Sequence, residues 1–186
     1  MDRLTFKIIG EGERGFIIHP AFNGDTTMVS KLSSKFEIEK EVAIIKKLPP
    51  NDIYILPLYP ECLPVTDIER NILINMDESF TNDELLTDYS HYHNIPYIKG
   101  VTLDNVEDVD EMIIVACEQF KYDLDKLHEQ GWVHCAVFFQ NVMYSSDNNR
   151  LYLIDFGTYR RSDEDNWLEA EKEDVFNMFE EMGIVS

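Results

Sequence analysis

Apolar and polar residues alternate over residues 4–10, and Phe16, Ile17 and Ile18 resume strand character after a run of glycines. The two stretches predict a hairpin. Residues 26–32 read as the next strand, entered through the turn signal Asn23-Gly24-Asp25. The period then changes: Ile38, Val42, Ile45 and Leu48 recur at helical spacing across residues 36–48. Ser34 and Glu37 form a capping box before this helix, and Pro49-Pro50 stops it. Glu41 lies inside the apolar set, between Ile38 and Ile45. A carboxylate on a buried face needs a cationic partner, because leaving it unpaired costs several kcal/mol. Lys31, near the end of the preceding strand, is the candidate.

Residues 53–58 and 71–76 read as strands, with Pro57, Pro60 and Pro64 confining the first to a sheet edge or an irregular segment. His91 and His93 sit among tyrosines, and with no other ligand character nearby a metal reading of this pair is not favoured. Residues 95–100 read as a strand followed by a glycine-containing connection. The clearest helix is predicted at residues 107–129, with Ile113, Ala116, Phe120, Leu124 and Leu127 on one face and Gly131 just past its end. Trp132-Val133 leads from it into a polar loop at His134, and residues 151–154 form an apolar strand that delivers Asp155 into a glycine turn. The expectation is a mixed α+β protein.

Three motifs carry the candidate chemistry. Gly10, Gly12 and Gly15 spell G-x-G-x-x-G between two strands, where missing side chains let backbone N–H groups approach phosphates closely. A dinucleotide fold would need a helix directly after the third glycine. The loop from His134 to Asn141 and the turn Asp155-Phe156-Gly157 complete the set, with room between Asn141 and Asp155 for two short strands and a turn. On these motifs the chain resembles the protein kinase superfamily, whose catalytic loop reads H-R-D-L-x-x-x-N and whose metal-binding turn reads D-F-G. It looks most like compact, atypical members and kinases of large DNA viruses.

The resemblance implies a bilobal fold, with a small β-rich N-lobe over residues 1–99 and a truncated helical C-lobe over residues 100–186. It implies ATP and Mg2+ as cofactors. Gly10, Gly12 and Gly15 would cover the phosphates, Lys31 would contact them while paired with Glu41, and the backbone of Tyr97, Ile98 and Lys99 would meet the adenine. Asn141 and Asp155 would be the metal ligands, and His134 the loop histidine. An Asp in the following helix, matched by Asp174, would brace the catalytic loop from below. Two departures stand out: Cys135 replaces the usual Arg, and Ala136 replaces the Asp that accepts the substrate hydroxyl proton. Losing a positioned base costs about 10²- to 10⁴-fold in rate.

Three functions are therefore open. The first is a kinase acting on a hydroxyl acceptor, Ser/Thr on a protein favoured, in which Ala136 is an introduced inactivating change. The second is a natural pseudokinase that binds ATP and acts as a scaffold or allosteric partner. The third is an interaction protein without nucleotide. A formal charge of −20 opposes binding to nucleic acid and anionic membrane, and either favours a basic protein substrate or partner or simply keeps the protein soluble. Three cysteines without a Cys-x-x-Cys pair point to a reducing compartment, and no apolar run has signal-peptide or membrane-span length, so an intracellular, cytoplasmic location is expected.

Overall fold

The computed structural model describes residues 5–12, 15–81, 87–163 and 166–184. Leu4, at the start of the first expected strand, and Glu13 and Arg14, inside the glycine motif, lie outside the described residues. The protein is mixed α+β and divides into two compact units, one of Met1–Lys47 with Leu56–Tyr97 and one of Leu48–Ile55 with Ile98–Ser186. The chain thus passes between units at Tyr97, and a short internal piece belongs with the second unit.

Unit one is built on an antiparallel sheet in the order β1 (Lys7–Gly12), β2 (Gly15–His19), β3 (Met28–Ser33), β5 (His91–Pro96), β4 (Leu63–Pro64). Its two faces are covered differently. Ile18, Leu32 and Tyr92 point to one side and form a core with Phe22, Phe80 and Leu73, the last from helix α2 (Asp67–Met76). The opposite side carries Lys31 and His93, directly paired across β3 and β5, and meets helix α1 (Lys35–Ile45). Ser34 caps α1 by accepting the Glu37 N–H, and Ile38, Glu41, Val42 and Ile45 form its buried face.

The predicted strand at residues 71–76 is corrected here, because that stretch is the body of α2. Thr66 and Glu69 cap its start reciprocally and Asp67 adds a second acid to its first turn, so favourable end chemistry outweighs the β-branched run that reads as strand. The predicted strand at residues 53–58 is also absent. Ile53 accepts the Leu153 N–H at 2.7 Å and Tyr54 packs edge-on against Phe156 and Tyr159, so residues 53–55 are held by unit two, and residues 56–58 belong to unit one without forming a strand.

Unit two is organised on helix α3 (Glu111–Glu129). The helix begins four residues later than expected, because Asp110 takes the N-cap and accepts the Ile113 N–H at 2.9 Å. Its apolar face packs on a sheet ordered β6 (Val101–Thr102), β8 (Val142–Ser145), β9 (Arg150–Leu153). A second small ladder pairs β7 (Trp132–Val133) with β10 (Arg160–Arg161). Helix α4 (Trp167–Glu181) closes the unit through Val175, Met178 and Phe179, with Phe179 edge-on to Phe120. Among the described residues no helix is long and apolar enough to cross a membrane.

Candidate functional site

In unit one the candidate residues gather on β1, β2, β3 and α1. The β1–β2 hairpin pairs Gly12 with Gly15, and a bulge interrupts its register between Ile8 and Gly10. The three glycines are not equivalent. A Cβ on Gly15 would lie 2.1 Å from the Leu32 carbonyl oxygen, so close approach of β3 requires glycine there. A Cβ on Gly12 would meet nothing within 4 Å, which leaves that backbone open to a ligand.

Lys31 and Glu41 form a close ion pair, Nζ to Oε1 at 2.5 Å, with side chains only 14% and 5% exposed. The sequence placed both: Lys31 by a strand period, Glu41 by a helical one. Desolvating two charges is costly, and a short charge-assisted bond is what offsets it. The second carboxylate oxygen of Glu41 accepts from His93 Nε2 at 3.0 Å. Sequence reasoning gave His93 no such role, since the pairing of Lys31 with His93 depends on a β3–β5 register that skips two helices and a strand. Tyr97 ends unit one, its N–H donated to the Thr27 carbonyl at 2.9 Å and its ring against His19.

The other candidates lie in unit two. Ile98 is half-buried, and Lys99 reaches Asp147 at 3.2 Å in an exposed ion pair of little energetic weight. The Lys99 carbonyl accepts from Ser145, and a Cβ on the next residue, Gly100, would strike the Tyr144 carbonyl oxygen at 2.2 Å. This connection therefore lies flat on β8.

The loop from His134 to Asn141 is fixed by buried polar groups. His134 is fully buried and donates from Nε2 to the Ile154 carbonyl at 2.8 Å; burial holds its pKa below the ordinary imidazole value, which keeps the ring neutral. Cys135 takes a left-handed backbone conformation, φ 64°, and its N–H donates to Glu171 at 2.6 Å. The expected bracing acid was Asp174; the structure corrects it to Glu171, one turn earlier on α4. Asp174 is only half-buried, while Glu171 is buried and its other oxygen accepts from His128 Nε2 at 2.7 Å.

Asn141 and Asp155 are brought together. The Asn141 carbonyl accepts the Ile154 N–H at 3.0 Å, so Asp155 follows directly on a residue bonded to Asn141. Asn141 Nδ2 donates to the Ala136 carbonyl at 3.0 Å, leaving Oδ1 as the side-chain atom with ligand character. Asp155 sits in the left-handed region, φ 68°, and its carboxylate accepts the Gly157 N–H at 3.4 Å. Non-glycine residues rarely adopt this conformation, and such strain concentrates at functional turns. One carboxylate and one amide oxygen fit Mg2+, a hard cation that completes its shell with water and phosphate oxygens. Among the described residues no group of three or more His, Cys, Asp or Glu gathers, which disfavours a metal caged by the protein alone. Ala136, whose carbonyl Asn141 holds, offers no side-chain atom able to take a proton.

The class the fold and site define is thus a two-unit α+β protein with a buried lysine–glutamate pair in one unit and a paired Asn–Asp oxygen set in the other. In comparisons with known proteins, no protein-family model matches this chain and no curated protein matches it.

Proposed function

We propose that the chain is a bilobal kinase-fold protein that binds Mg-ATP and belongs to the chemistry of phosphoryl transfer to a hydroxyl, Ser/Thr on a protein favoured, with transfer itself crippled at Ala136. The observation that carries this reading is the Lys31–Glu41 ion pair: a strand lysine held at 2.5 Å by a helix glutamate, with both charges largely withdrawn from water. Such a pair costs desolvation energy, and an ammonium fixed in place to meet phosphate oxygens gives a reason to keep it. Asn141 and Asp155 would hold the metal, which when bound neutralises phosphate charge. Gly12 would present its backbone to the phosphates, and the backbone of Tyr97, Ile98 and Lys99 would take the adenine.

In phosphoryl transfer the catalytic-loop Asp orients the hydroxyl and accepts its proton. Ala136 does neither, so the chain binds and positions but transfers slowly. This one position also favours an alternative role, a pseudokinase that works as a nucleotide-bound scaffold for a partner, and the charge of −20 favours a basic one. An intracellular setting, where ATP and Mg2+ are abundant, follows from the reading.

The test is Ala136→Asp with γ-labelled ATP and a basic Ser/Thr substrate panel. Restored transfer, about 10²- to 10⁴-fold above the parent chain, supports a phosphotransferase. Tight Mg-ATP binding with no transfer to any acceptor, including the protein itself, points to the scaffold role instead.

A further inference from the structure

His93 is fully buried at the centre of β5, where a leucine would fill the same space without a polar atom to satisfy. Its Nε2 lies 3.0 Å from Glu41 Oε2, while its Nδ1 has no hydrogen-bond partner. A bare ring nitrogen is tolerated better there than an unpaired N–H, so the proton sits on Nε2 and is donated to the carboxylate. Glu41 is then gripped from both sides, by Lys31 on Oε1 and by His93 on Oε2.

With one oxygen pinned by an imidazole set rigidly in the sheet, the carboxylate cannot rotate about its last torsion, and Lys31 has a single place to go. We propose that His93 is a positioning residue that fixes the Lys31 ammonium through Glu41; this rests on the nucleotide reading only for its functional consequence. Register makes the device possible, since β3 and β5 set Lys31 and His93 directly opposite on the face that α1 covers.

The experiment compares the parent chain with His93→Leu and His93→Gln, the second keeping a side-chain N–H donor. Two readouts are taken: the ¹⁵N-lysine NMR signal of the Lys31 ammonium, and titrations with Mg-ATP and with adenosine. His93→Leu should broaden or abolish the ordered Lys31 signal and weaken Mg-ATP by about 10-fold or more, the worth of a hydrogen bond to a charged group. Adenosine, which lacks phosphates, should bind unchanged, and His93→Gln should recover most of both losses. An ordered Lys31 signal and parental Mg-ATP affinity in His93→Leu would overturn the proposal. If the parent chain binds no Mg-ATP yet His93→Leu still disorders Lys31, the positioning role stands and the nucleotide reading falls. Should His93→Leu not fold, imidazole ¹⁵N spectra of the parent chain decide: a proton on Nε2 that shifts on Glu41→Gln supports the role, and a proton on Nδ1 alone overturns it.

Discussion

Among the described residues each unit buries one glutamate against a histidine, and the two differ in what the remaining oxygen holds. Glu41, on α1, gives its remaining oxygen to the side chain of Lys31; Glu171, on α4, gives its remaining oxygen to the backbone N–H of Cys135. The first arrangement fixes a cation, the second fixes the shape of a loop. A side chain released from its partner can turn elsewhere, whereas a backbone N–H is held where the loop puts it, and removal of the two carboxylates should therefore have unequal consequences.

The largest effect is expected for Glu171→Ala, which removes at once the acceptor of the Cys135 N–H and of His128 Nε2. Chemical denaturation should show a loss of about 3–5 kcal/mol, as for breaking a buried pair. Glu41→Ala also takes the acceptor from the buried His93 N–H, but the Lys31 side chain, 14% exposed, can turn to solvent, so the loss should be smaller, about 1–3 kcal/mol. Equal losses at the two sites would erase the distinction between them. In the glycine hairpin, Gly15→Ala should destabilise by about 1–3 kcal/mol, since its Cβ collides with the Leu32 carbonyl. Gly12→Ala should stay within about 0.5 kcal/mol by the same denaturation curve, and any loss there should fall on Mg-ATP affinity instead.

Acid adds a smaller effect. His134 has a folded pKa lowered by burial, so below the ordinary imidazole value near 6.5 the unfolded chain binds a proton that the folded chain refuses. Its contribution is fully present above that value and is lost as pH falls toward the lowered folded value, at no more than about 1.4 kcal/mol per pH unit. Thermal melts from pH 7.5 downward, compared between the parent chain and His134→Gln, would show whether the slope belongs to this ring.

The same contrast explains what could be read from the sequence. Glu41 was legible because Ile38, Val42 and Ile45 mark the apolar face it lies on, and Glu171 carries the same signal: Val175 and Met178 follow it at helical spacing. Its dilution among Glu169, Glu173 and Asp174 hid it, and Asp174 took its place. His93 had no local signal at all, because its meaning depends on which strand lies beside β3. Helix α2 was misread for a related reason: Asn71-Ile72-Leu73-Ile74 has strand propensity, and only the reciprocal cap of Thr66 and Glu69 gives its true period away. The turn at Asp155 and the spacing back to Asn141 were readable in outline, whereas the tie between them, Ile154 N–H to the Asn141 carbonyl, belongs to the folded chain.

The most direct trial of the proposed function is calorimetric titration of the parent chain with ATP in excess Mg2+, repeated on Lys31→Ala and Asp155→Ala. The account predicts saturable one-to-one binding that both substitutions abolish or weaken by about 10-fold or more. Absence of saturable binding in the parent chain, or binding that neither substitution disturbs, would contradict it.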